Sequence, residues 1–219
     1  MCATHLDRTT QTLIEAVDRA DSADAVLEAV ENLAAAGSLG AISKLIEVLG
    51  YNNPGAAVAA VDGLIRLGEP AVVPLLEQLD GYNYGARAWA VRALAGIGDP
   101  RGLDILLGAT SDFSLSVRRA ASRGLGTIRW GQMDSDGVPQ AQMQARSALL
   151  ETSQDPEWIV RYASVVGLQG LAGAIPSSDP EIRSTILQRF HQMGDRDGES
   201  AVRARARLAI AQLEKPSRT

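Results

Sequence analysis

Residues 55–76 read GAAVAAVDGLIRLGEPAVVPLL, and residues 85–106 read GARAWAVRALAGIGDPRGLDIL. The two stretches lie 30 residues apart, and small or apolar side chains coincide through most of their length. Within the second, Val91, Leu94 and Ile97 fall at i, i+3 and i+6 beside Ala90, a helical period without strand-like alternation. Gly98-Asp99-Pro100 breaks that period, and Gly68-Glu69-Pro70 breaks it one copy earlier. Glycine suits the residue just past a helix end, and proline suits the first turn of the next helix. Each copy therefore reads as helix, sharp turn, helix. One such pair is too small to bury its apolar stripe, whereas stacked pairs share a continuous core.

The same helix returns outward from these copies as VRRAASRGLGTI from Val117, VRYASVVGLQGL from Val160 and VRARARLAIAQL from Val202. A degenerate copy fills residues 25–49. The spacing predicts an all-α chain, an α-solenoid of five to six helical hairpins, with irregular end copies acting as caps. A single repeat domain is expected over residues 1–219, with a cap over 1–24, regular repeats over 25–170 and irregular ones over 171–219. Residues 131–139, 173–180 and 194–200 are polar and turn-rich, so loops are expected there, widening the later repeats to 42–43 residues. Asp112 and Asp155 precede two of the repeat helices and are expected to cap them.

Composition excludes several classes of function. The chain has 46% apolar residues, enough for a core, and a formal net charge of −5. Nonspecific nucleic-acid binding rests on clustered positive charge, so no nucleic-acid partner is expected. No apolar run approaches the roughly 20 residues of a membrane span, and the start MCATHLDRTT has no leader pattern, so a cytoplasmic protein without membrane insertion is expected. Cys2 is the one cysteine, and His5 and His191 are isolated, so no clustered metal ligands are available. Asp134-Ser-Asp136-Gly and Asp195-Arg-Asp197-Gly lack the remaining ligands of a calcium loop and read as polar turns.

The repeat form, with Val-Arg opening the helix and Gly-Asp-Pro closing it, resembles the HEAT-like repeats of phycobilin lyases. Residues 48–126, above all YNYGARAWAVRALAGIGDPR and SVRRAASRGLG, resemble the F-type subunits of the E/F lyase family; the likeness extends over about residues 10–170. That resemblance implies a heterodimer with an E-type subunit, in which phycocyanobilin is attached through a thioether to a cysteine of the phycocyanin α subunit. Phycocyanobilin would be a substrate, with no permanently bound cofactor. Related isomerising lyases carry an Asn-His-Cys-Gln-Gly-Asn motif, which is absent here.

Such chemistry requires little machinery from the enzyme. The bilin brings an electrophilic vinylic side chain and the acceptor brings the thiol, which leaves binding and orientation to the lyase. Aromatic faces hold a conjugated pigment, and arginine forks onto propionates. Trp89 and Arg92 are three apart on a helix and so neighbours on one face, with Tyr82 and Tyr84 just before them and Arg123 at the Arg92 position one copy later. Tyr82, Tyr84, Trp89, Arg92 and Arg123 are the candidate bilin-binding residues. Arg87, Arg118 and Arg161 recur at one repeat position, as does Arg203, and are expected to form a structural ladder with turn aspartates such as Asp112 and Asp155. Trp130 and Trp158 are expected to close the core, and Tyr162 suits either core or groove. The alanines Ala56, Ala57, Ala59 and Ala60 suggest a face for association with another chain. A non-catalytic scaffold or chaperone for a phycobiliprotein, or for the partner subunit, is the alternative function.

Overall fold

The computed structural model describes residues 7–78, 84–175 and 180–215. Twelve α-helices occupy them: α1 Arg8–Arg19, α2 Ala23–Ala35, α3 Ile42–Val48, α4 Pro54–Leu67, α5 Val72–Gln78, α6 Tyr84–Ile97, α7 Leu103–Ala109, α8 Leu115–Gly124, α9 Val138–Thr152, α10 Trp158–Ala174, α11 Pro180–Arg196 and α12 Ser200–Leu213. Odd and even helices pair into six hairpins, so the fold is an all-α solenoid of helical repeats. Two compact units divide the chain, residues 1–97 and 98–219.

Local chemistry fixes the helix ends. The side chains of Asp7, Ser22 and Asn53 accept the backbone N–H three residues on and so cap α1, α2 and α4. Asn53 also donates to the Ala23 carbonyl at 2.8 Å, tying the start of α4 to the start of α2. Gly68 ends α4 at φ 71°, and Pro70 sits in the 3-10 turn Glu69–Ala71 that leads into α5. Gly98 adopts φ 68° before the 3-10 turn Pro100–Gly102. Both Gly-x-Pro turns thus perform the break that the sequence spells out.

In the first unit α2 packs on α4 and α4 on α6, with α1, α3 and α5 as their hairpin partners. Val30, Leu33, Leu45, Val61, Leu64, Leu75 and Val91 are fully buried between them. Ala56, Ala57 and Ala60 are also fully buried. Three of the four alanines read as an association face are therefore internal packing, and Ala59 is half-buried: small side chains let α4 lie close to both neighbouring helices. Gly63 belongs to the same contact, since a Cβ there would lie 2.8 Å from the Ala34 Cβ.

In the second unit α8 packs on α10 and α10 on α12, with α7, α9 and α11 beside them. Leu106, Leu125, Leu149, Leu168, Leu171 and Phe190 are buried there. Helices α8 and α10 meet backbone to backbone: a Cβ on Gly167 would lie 2.1 Å from the Ser122 carbonyl oxygen, and one on Gly170 would lie 2.2 Å from that of Gly126. Two of the expected loops are shorter than their composition suggests. Helix α10 runs on through Gly173 and α11 through Gly194 to Arg196, because hairpin packing outweighs the weak helix propensity of single glycines. Among the described residues no helix is long and apolar enough to cross a membrane.

Candidate functional site

The repeat arginines and turn aspartates meet across successive hairpins. Arg118 Nε donates to Asp155 Oδ2 at 2.7 Å and its Nη2 donates to Oδ1 at 3.1 Å, while Nη1 donates to the Asp112 and Phe113 carbonyls. Arg161 repeats the arrangement on the Asp197 carboxylate, at 2.8 Å to each oxygen, and on the Asp155 and Pro156 carbonyls. Arg203 donates to the Asp197 and Gly198 carbonyls. Asp155 and Asp197 also accept the Glu157 and Glu199 amides, shaping the turns into α10 and α12. The aspartates thus stand before the helix caps rather than on them; Asp112 does the same with the Ser114 amide at 2.8 Å. Arg87 holds the equivalent place on α6.

These carboxylates are committed to the fold. The Arg161 hydrogen bonds hold the Asp197 carboxyl below its ordinary range against the opposing effect of burial, helped by the Glu199 amide and the Arg161 charge. Burial pushes Asp155 up, but the Arg118 hydrogen bonds, the Glu157 amide and the guanidinium charges outweigh it and lower its pKa. A carboxylate held ionised by a forked guanidinium is a poor proton donor near neutral pH. The ladder fastens repeats and offers no general acid.

Helix α6 divides as its periodicity predicts. Ala90, Val91, Leu94 and Ile97 are buried, Trp89 is half-buried and Arg92 is exposed. The Arg92 guanidinium carbon lies 5.4 Å from the centre of the Trp89 ring, a cation–π contact on the helix surface. Tyr84 opens α6, and Tyr82 lies outside the described residues. Arg123 is exposed near the end of α8, in the second unit. The structure brings Trp89 and Arg92 together.

The other aromatic residues divide unexpectedly. Trp130 is buried, with an indole N–H that has no hydrogen-bond partner among the described residues. Trp158, expected in the core, is 41% exposed, and Tyr162 one turn later is 36% exposed. The buried line of α10 runs through Val160, Ala163, Ser164, Gly167, Leu168 and Leu171, which turns positions 158 and 162 outward. His191 is exposed on α11, and Cys2 and His5 lie outside the described residues.

Residues 74–169 match the family described as HEAT repeats. The phycocyanobilin lyase subunit beta of Pseudanabaena tenuis is 58% identical over 210 residues, covering 95% of this chain and 74% of its own length. The chain belongs to the phycocyanobilin lyase beta, or F-type, subunits. A second relative, the phycocyanin alpha phycocyanobilin lyase CpcF of Synechocystis, is 54% identical over 161 residues, covering 73% of this chain and 75% of that one. Among solved structures, a chain in the complex of CpcE and CpcF of phycocyanin lyase from Nostoc is 49% identical with a TM-score of 0.71, covering 78% of this chain and 99% of that chain.

In this F-type chain two residues of the second unit take places other than those expected from the sequence. Asp197 was one: it stands six residues before Arg203, as Asp112 stands before Arg118 and Asp155 before Arg161, a spacing visible in the sequence. Trp158 was another. It shares its repeat position with Leu115 and Ser200, as Tyr162 shares its own with Arg119 and Ala204, so both places accept polar side chains.

Proposed function

We propose that this chain is the F-type subunit of a heterodimeric bilin lyase. With an E-type partner it attaches phycocyanobilin to a cysteine of the phycocyanin α subunit, in the cytoplasm. The observation that carries this reading is the 49% identity to a chain of the CpcE–CpcF complex, over 78% of this chain and 99% of that one. The residue inventory is consistent with it. The reaction is an addition: the acceptor sulfur bonds to the vinylic carbon, the carbon–carbon π bond opens, and the thiol proton goes to the tetrapyrrole. Atoms balance with no oxidant, reductant or leaving group, so a chain with one cysteine and two histidines has sufficient chemistry.

Binding is the part this subunit supplies. Trp89 and Arg92 form a seat in which the indole meets a pyrrole plane and the guanidinium meets a propionate, with Tyr82 and Tyr84 as further contacts. Arg123, on the second unit, is a separate candidate for a propionate. Holding two reactants in line lowers a barrier by about 7–11 kcal/mol. A positioning subunit thus needs no acid or base of its own. The test uses the co-purified heterodimer with free phycocyanobilin and apo-phycocyanin α subunit. Covalent colour on a denaturing gel that requires both subunits supports the reading. A heterodimer that leaves the acceptor colourless refutes it.

A further inference from the structure

Three neighbouring helices of the second unit, α8, α10 and α12, carry seven arginines and not one aspartate or glutamate, in a chain whose net charge is −5. Three of the seven are engaged: Arg118 and Arg161 by the aspartate ladder, Arg203 by main-chain carbonyls. Arg119, Arg123 and Arg207 are exposed and have no ion pair among the described residues. Arg205 is half-buried; its Nη2 donates to Gln169 at 2.6 Å, and its buried Nη1 has no hydrogen-bond partner among the described residues. Burial pushes the Arg205 pKa down, and the neighbouring Tyr162 acts against that shift.

The exposed aromatic pair lies amid these charges. Trp158 and Tyr162 are four apart on the open side of α10, so their rings stand about 5–6 Å apart at Cβ. Arg119 is the α8 residue at the Tyr162 repeat position, and the close approaches of Gly167 to Ser122 and of Gly170 to Gly126 hold α10 against the end of α8. Arg205 reaches Gln169 from the other side, on α12. Helices in contact run about 8–10 Å apart, within reach of an arginine side chain. The result is an aromatic pair with cations on the helices either side of it; the carboxylate nearest in sequence is that of Glu157, the exposed residue before Trp158. A solvated charged face would normally mix both signs.

We infer that the exposed face formed by Trp158 and Tyr162 with Arg119, backed by the half-buried Arg205, is a second seat for free phycocyanobilin, lying wholly within the second unit. The inference rests on the lyase reading above and adds a place where the pigment binds before transfer. The occupant follows from complementarity: a flat conjugated ring system matches the aromatic pair, and a propionate matches the exposed Arg119 guanidinium, which has no ion pair among the described residues. An acidic protein surface is the competing occupant. It would engage the same arginines but would not need a conjugated plane over Trp158.

The experiment titrates free phycocyanobilin into the co-purified heterodimer, reading tryptophan quenching and the visible absorbance band, and then assays attachment to the phycocyanin α subunit. Arg119→Ala with Trp158→Ala is expected to weaken bilin binding tenfold or more while heterodimer elution and acceptor binding stay unchanged. Trp158→Phe keeps a ring and is expected to restore most of the affinity. Unchanged bilin affinity in the double variant overturns the inference, and so does loss of the partner or acceptor with bilin affinity intact. A wild-type heterodimer that never colours the acceptor sinks the lyase reading itself, whereas an active wild type with an indifferent double variant sinks only this seat.

Discussion

Placing a methyl group on Gly167 tests the packing on which the second unit depends. The added Cβ would lie 2.1 Å from the Ser122 carbonyl oxygen and 2.7 Å from Leu149 Cδ2. Both distances fall well short of van der Waals contact, and the first obstacle is main chain, which no rotamer change relieves. Helices α8 and α10 must separate. Overpacking of this kind costs about 1–3 kcal/mol, and a rigid backbone obstacle belongs at the upper end. Gly→Ala in a helix returns about 0.5–1 kcal/mol through lower unfolded-state entropy. The net loss is about 2 kcal/mol, or a Tm fall of about 4–8 °C for a chain of this length. Gly173 lies on the same helix, and a Cβ added there would have nothing within 4 Å, so Gly173→Ala keeps the propensity gain without the collision. Its Tm is expected to rise by about 1–4 °C. Thermal unfolding of both variants, followed by far-UV circular dichroism, compares the two signs directly. If Gly167→Ala is as stable as Gly173→Ala, α8 and α10 do not meet as described.

Further outcomes follow from the ladder and the α6 surface. Arg118→Ala removes the forked pair with Asp155 and two carbonyl contacts, and is expected to cost about 2–4 kcal/mol in the denaturant midpoint at unchanged slope. Arg118→Lys should recover little of that, since a point charge does not fork onto a carboxylate and two carbonyls at once. Asp155 and Asp197 titrate below their ordinary value, so their contribution is full above about pH 4 and disappears as pH falls through their folded-state values. Unfolding midpoints measured between neutral pH and about pH 3 should show this loss, and Arg161→Ala should flatten the profile. Trp89→Ala is expected to lower bilin affinity several-fold while moving Tm by no more than about 4 °C, because the half-buried indole contributes a surface cation–π contact of about 0.5–1 kcal/mol.

The hairpins were legible because their signals are local. The 30-residue offset, the apolar period through Val91, Leu94 and Ile97, and the two Gly-x-Pro breaks each depend on a few neighbouring residues. The contact of Trp89 with Arg92 was legible for the same reason, being a three-residue spacing on one helix. What escaped depends on neighbours distant in sequence. A large ring beside the long loop suggested that Trp158 belongs inside, but the buried line of α10 runs through Val160, Ala163, Gly167 and Leu171, and the indole is left outside. Ala56, Ala57 and Ala60 looked like open surface because small side chains carry no signal of burial, yet close approach of α4 to its neighbours requires them. Asp197 pairs with an arginine 36 residues away, and only the repeat spacing of aspartate to arginine foreshadows it.

The central claim is that this chain acts as one half of a pigment-attaching pair, and co-expression in a phycocyanobilin-producing host tests it most directly. Cells holding this chain, an E-type partner and the phycocyanin α subunit should yield an α subunit that keeps its bilin through denaturing electrophoresis, and omitting this chain should abolish the colour. An α subunit coloured equally well without this chain, or left colourless with all three present, would contradict the account.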